Sequence, residues 1–186
     1  MNKRDDILKA TLDLIVKEGL HSVTLSKIRK NADVGSGTLY NYFSSKDELI
    51  MTLYLDLRSK MGENVLKDYN PSDYVRVQFD KFIRNFYFYC LDHLDEVNFV
   101  EQYTFYLHKE CKTLEEGDNG FVKTIMRILE NGKSQKVIVQ KDVHLLFQVV
   151  YGIVLTVVKG ITAKKFKMKE GDVSDLTDIC WNSISY

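Results

Sequence analysis

A single proline, Pro71, interrupts 186 residues. A chain so poor in the residue that breaks helices can run from helix to helix, and its apolar residues keep the matching rhythm. Leu49, Leu53, Leu57 and Met61 stand four apart. That spacing stacks them on one face of an α-helix, whereas a strand would need apolar residues at every second position. The class predicted is all-α.

Helix ends can be placed from local chemistry. Asp5-Asp6 opens a first helix, with Ile7, Leu8, Leu12, Leu14 and Ile15 on its apolar side and Gly19 as its stop. Thr24 caps a short second helix that buries Leu25, Ile28 and Ala32. Asp33-Val34-Gly35 interrupts it, and a third short helix covers Ser36 to Phe43. Ser45 followed three residues later by Glu48 is a capping box, starting a long helix that ends near Asp68 to Pro71. Ser72 or Asp73 restarts a helix through Val77, Phe79, Phe82, Ile83 and Phe86. Further helices are expected near 95–110, 118–132, 142–164 and 174–184. Val137-Ile138-Val139 reads as an extended connection, because no partner strand is visible.

Apolar residues make up 45% of the chain, enough for a sizeable core, and formal net charge is zero. A nucleic-acid role would therefore need a local basic patch. Three scattered cysteines, Cys90, Cys111 and Cys180, argue against a disulfide framework and fit a reducing cytosol. The start of the chain lacks the apolar core of a signal peptide. The most apolar stretch, Val143 to Val158, is shorter than a bilayer span and carries His144 and Gln148. A cytoplasmic protein without a membrane partner is expected.

The stretch GSGTLYNYFSSK, Gly35 to Lys46, is the densest in chemistry. A phosphate-cradling loop would need a strand before its glycines and a Gly-Lys-Ser/Thr after them, and neither is present. On a helix, Leu39 and Phe43 lie four apart as core residues. Gly37 and Asn41 share another face, beside Thr38 and Tyr42. Small, polar and phenolic residues make a poor core and a good wet contact surface. Two short helices around a three-residue turn form a helix-turn-helix, whose second helix enters the DNA major groove. Between Thr24 and Lys46, four basic residues (Lys27, Arg29, Lys30 and Lys46) face one acid, Asp33.

The stretch TLSKIRKNADVGSGTLYNYFSSKDEL, Thr24 to Leu49, resembles the DNA-binding domain of TetR-family transcriptional regulators. ILKATLDLIVKEGL resembles that domain's first helix. The resemblance covers about the first quarter of the chain and implies a division into residues 1–46, binding DNA, and 47–186, binding effector and a second subunit. It implies that Thr24, Lys27, Tyr42 and Lys46 face phosphates and that Gly37, Thr38 and Asn41 meet base edges, Asn41 through an amide suited to adenine. Tyr40 would pack partly in the core and offer its hydroxyl to DNA. Two residues depart from the family pattern: Asp33 stands where glycine is usual, and Arg29 where alanine is usual. Arg29 either reaches out to phosphate or shifts the packing of the two short helices.

In the remainder, the helix from Val143 is apolar on too many sides for a surface helix. Phe147, Val150, Tyr151, Val154 and Val158, with Leu176, Ile179 and Cys180 from the last helix, are expected at a homodimer interface. The alternative is that both helices lie in one subunit's core. Gly152 and Gly160 would permit close helix approach. Residues 79–106 hold more aromatic rings than one helical face can use. A mostly apolar ligand pocket is expected around Phe82, Phe86, Tyr89, Gln102, Tyr103, Tyr106 and His108. Neither His93 nor His108 sits in a full metal-ligand set, and no nucleophile-base pair stands out. No cofactor, metal or enzymatic activity is expected. The function expected is a dimeric repressor, released from a palindromic operator by a small apolar or aromatic ligand. The alternative is an effector-independent regulator or activator with a closed C-terminal core.

Overall fold

The structure is a computed structural model that describes residues 2–109, 120–169 and 171–186, with the side chains of His108 and Lys109 outside that description. Among the described residues the architecture is all-helical, with nine α-helices and no named strand. In order they are α1 (Lys3–Glu18), α2 (Leu25–Asn31), α3 (Ser36–Tyr42), α4 (Lys46–Val65), α5 (Val75–Asp92), α6 (Leu94–Lys109), α7 (Phe121–Ser134), α8 (Val143–Thr162) and α9 (Asp172–Asn182). They divide into two packing units. One comprises residues 2–58 and 95–109, and the other comprises 59–94 and the described residues from 120 onward.

In the first unit, α1 buries Ile7, Leu8, Ala10, Leu14 and Ile15, while Leu12 is only half-buried. Each fully buried leucine or isoleucine contributes about 1.5–3 kcal/mol. Asn2 accepts the Arg4 N–H at the start of α1, one turn before the acidic pair Asp5-Asp6. Gly19 ends the helix at a φ of 81°, a conformation that favours glycine. The Asn31 amide donates to the Ala10 carbonyl at 3.1 Å and fastens α2 across α1. An ion pair from Arg4 to Asp56 at 2.8 Å joins α1 to α4. On α4, Tyr54 is buried, with its hydroxyl 2.9 Å from Thr104 of α6 and its ring edge-on to Tyr103.

The second unit packs α5 against α7, α8 and α9. α5 begins at Val75, later than the sequence suggests, because Gln78 turns inward. Its amide donates to the Asp73 and Pro71 carbonyls, and the Tyr69 hydroxyl donates to its oxygen. Val77, expected on the apolar side, is left exposed in consequence. Asp142 caps α8 by accepting the His144 and Leu145 N–H groups. Ile138 does find a partner: it forms an isolated antiparallel bridge with Ser185, and the Val139 N–H donates to Ile184.

α8 is longer than the apolar stretch visible in sequence. At 20 residues, with a mean hydropathy of 1.8, it is long and apolar enough to cross a membrane by length and composition alone. Leu146, Val150, Val154, Leu155 and Val158 are nevertheless buried within the packing of this unit. Five of the expected interface residues, Val150, Val154, Val158, Leu176 and Cys180, are buried within the chain's own core. Gly160 likewise serves the chain itself, since a methyl group there would come within 2.5 Å of the Phe166 ring.

Candidate nucleic-acid interface

The site is built by three short pieces of chain whose ends are fixed by side-chain chemistry. Thr24 is the N-cap of α2, its Oγ1 accepting the Lys27 N–H at 3.3 Å. Ile28 is fully buried and holds α2 to the unit. The turn to α3 passes through Asp33 at a φ of 51°, the left-handed region that aspartate tolerates better than most residues. Gly35, by contrast, has an ordinary φ of −69°. Leu39 and Phe43 are buried and anchor α3.

That anchoring decides what α3 presents. At about 100° per residue, Gly37 and Asn41 fall opposite Leu39, with Thr38 and Tyr42 on one flank and Ser36 and Tyr40 on the other. Gly37 and Asn41 are exposed and Thr38 is half-buried. A methyl group at Gly37 would meet no atom within 4 Å, so nothing inside the chain requires a glycine there. Tyr40 is 58% exposed, which removes it from the core role, and Tyr42 is 41% exposed. The structure thus brings Gly37, Thr38, Tyr40, Asn41 and Tyr42 onto one short exposed helix.

Two of the expected phosphate contacts are engaged elsewhere. The Lys27 ammonium donates to Glu18 at 2.6 Å and to the Ser22 carbonyl at 3.0 Å. The ion pair holds the Glu18 carboxyl below its usual range. The Lys46 ammonium lies 3.5 Å from the Leu20 carbonyl and is half-buried. Nothing in the sequence spacing links Glu18 to Lys27, because the intervening turn decides their approach. The capping box of α4 is also redistributed. Ser45 Oγ accepts the Glu48 N–H at 3.1 Å, but Glu48 returns to Ser44, accepting its N–H at 2.8 Å and its hydroxyl at 2.5 Å. Those bonds lower the Glu48 pKa. Among the described residues, Arg29 and Lys30 are exposed and make no ion pair. Arg29 lines a groove with Leu25 and Ser26 of α2 and Ser36, Leu39 and Tyr40 of α3.

The expected effector pocket draws its residues from both units. Phe82, Phe86 and Tyr89 belong to the second unit, and Gln102, Tyr103 and Tyr106 to the first. Phe82 and Phe86 are closed over by neighbouring rings: Phe121 stacks on Phe82 at 5.1 Å and Tyr151 on Phe86 at 5.2 Å. Gln102 is exposed, while Tyr103 is buried and stacks on Phe99. The His108 side chain lies outside the described residues. Tyr89 lines a cleft in the second unit with Asn64, Asn85, Phe88, Asp92 and His93. No cluster of three or more metal-binding side chains occurs among the described residues.

Comparison with known proteins agrees with this geometry. The family model for bacterial regulatory proteins of the tetR family matches residues 7–52, and that for the tetracyclin repressor-like C-terminal domain matches residues 54–186. An uncharacterized HTH-type transcriptional regulator of Haemophilus influenzae is 27% identical over 99 residues, 53% of each chain. The fatty acid metabolism regulator protein of Bacillus subtilis is 37% identical over 57 residues, 31% of this chain and 28% of that protein. The chain thus spans about half or less of the length of the curated relatives it matches. The crystal structure of a TetR family transcription regulator from Marinobacter aquaeolei VT8 shares the fold, with a TM-score of 0.85 at 17% identity over 98% of this chain and 95% of that one. Matched over both its N-terminal and C-terminal parts, the chain belongs to the TetR family and is a transcriptional regulator with a helix-turn-helix DNA-binding domain.

Proposed function

We propose that the protein is a dimeric repressor that reads a palindromic operator through α3 and leaves it when a small apolar or aromatic molecule binds. The observation that carries the reading is the α3 surface. Gly37 and Asn41 stand opposite the buried Leu39, exposed and unused by the chain's own packing. Asn41 would read an adenine edge and Thr38 a neighbouring base, while Tyr40 and Tyr42 would supply hydroxyls to the strands. Thr24, Lys27 and Lys46 would hold phosphates, Lys27 in competition with Glu18. Residues 1–46 would carry the DNA contacts, and 47–186 the effector and subunit contacts.

Dimerisation is supported by what α8 and α9 leave outside. Leu145 and Ile179 are more than half exposed, Val149 is exposed, and Phe147 and Tyr151 are half-buried. A second copy would cover this apolar surface and place two α3 helices in successive major grooves, about 34–36 Å apart or more. For release, support comes from the aromatic cluster of Phe82, Phe86, Phe121 and Tyr151, closed here and parted by a ligand, and from the similar Bacillus subtilis regulator, which is named for fatty acid metabolism. A ligand there releases DNA only if it binds the DNA-free conformation more tightly. The test of base reading is Asn41→Ala on a selected duplex and on random duplex. Binding to the selected duplex should fall about 5–150-fold, the range for a lost bidentate base contact of about 1–3 kcal/mol, with random duplex unaffected. Equal losses on both would remove Asn41 from base reading.

A further inference from the structure

The basic residues of the helix-turn-helix do not share one fate. Lys27 is paired with Glu18 at the surface, and Lys46 leans on the Leu20 carbonyl. Arg29 keeps its charge unpaired among the described residues and lines the groove between α2 and α3. The groove has a volume of about 240 Å³. Leu25 and Leu39 contribute apolar wall, while Ser26, Ser36 and Tyr40 contribute hydroxyls beside Arg29. A water takes about 30 Å³ of liquid volume, so a phosphate group fits there with its hydration.

Position fits the same ligand. Ser36 and Tyr40 form the flank of α3 next to the Gly37–Asn41 face. A strand whose bases meet Asn41 would therefore carry its backbone past Tyr40 and the groove mouth. Arginine's planar fork of N–H donors matches two phosphate oxygens, which a lysine or a lone hydroxyl cannot do. We infer that the α2–α3 groove is a phosphodiester-binding site, in which Arg29 supplies the charge and Ser26, Ser36 and Tyr40 orient the phosphate beside the base pairs read by Asn41. The site rests on the DNA-reading role of α3. It moves the main charge contact of this half of the motif from Lys27 to Arg29.

The test measures affinity of the full chain against salt concentration, on a duplex recovered by selection, for wild type, Arg29→Gln, Arg29→Lys and Tyr40→Phe. Each phosphate neutralised contributes about 0.9 to the slope of log affinity against log salt. Arg29→Gln should lower that slope by about 0.9 for each bound subunit, and Arg29→Lys should restore the slope with only part of the affinity. Tyr40→Phe, which removes one exposed hydroxyl and no charge, should weaken binding severalfold with the slope unchanged. Phosphate-ethylation interference should lose one interfering phosphate per half-site in Arg29→Gln. Unchanged helicity and thermal midpoint will show that each variant folds, as expected for exposed side chains. A wild-type slope and interference pattern in Arg29→Gln would overturn the site while leaving base reading by α3 intact. Failure of the wild type to bind any duplex would overturn both.

Discussion

At the scale of single residues, the caps and turns were the most legible part. A cap is a local bargain between one side chain and one N–H, so its chemistry is written within three residues. Thr24 is the example, its Oγ1 holding the Lys27 N–H at the start of α2. Thr24→Ala should cost about 1 kcal/mol in chemical denaturation. A loss below a few tenths would mean the cap contributes little to α2. Asp33 was legible for the same reason, since its left-handed conformation is a property of the residue. The fate of Lys27 was not, because its partner Glu18 arrives across a turn whose path no local pattern records. Burial sets the chemistry of the cysteines as well. Cys90 and Cys180 are both buried, and burial pushes the Cys180 thiol up to about 12. Only the thiolate reacts with alkylating reagents. At pH 8, Cys90 and Cys180 should stay unlabelled in the folded protein and label fully in denaturant, as read by peptide mass. Rapid labelling of Cys180 in the fold would contradict its burial.

At the scale of elements, apolar periodicity placed the helices well and misjudged where some side chains go. α5 is the clearest case. Its apolar pattern would bury Val77, but the three hydrogen bonds of Gln78 set the phase of the first turn instead. Periodicity ranks residues by hydrophobicity and misses a buried amide whose partners lie in the preceding loop. The glycines show a related limit. Sequence marks Gly152 and Gly160 alike, yet their surroundings differ, and Gly132 is different again. A methyl group at Gly132 would come within 2.4 Å of Ile138 Cδ1 and 3.2 Å of Val75 Cγ1, both on buried residues. Gly132→Ala should destabilise the protein by about 1–3 kcal/mol. A methyl group at Gly152 meets nothing within 4 Å. Gly152→Ala should therefore stabilise α8 within one subunit by up to about 1 kcal/mol through helix propensity. Equilibrium unfolding of the two variants should move in opposite directions, and a shift in the same direction would contradict the packing around one of them.

At the scale of the whole molecule, the fold class and family were legible because the helix-turn-helix compresses its function into some twenty-five residues. The proposed subunit contact was less so. α8 is apolar nearly all round, and hydrophobicity alone cannot say which stripe faces its own core. The structure assigns Val150, Val154 and Val158 to that core and leaves Leu145, Val149 and Ile179 outside. Ile179→Asp should therefore split the proposed dimer without unfolding the chain. Sedimentation should show monomers at concentrations where the wild type is dimeric, with helicity unchanged. A dimer of unchanged stability would place the contact elsewhere. The central claim is that two copies read one symmetric site through α3. Selection of bound sequences from random duplex DNA by the full chain tests it most directly. The account predicts enrichment of a palindromic consensus whose half-sites are separated by about one helical turn or more, and absence of any enriched sequence would contradict it.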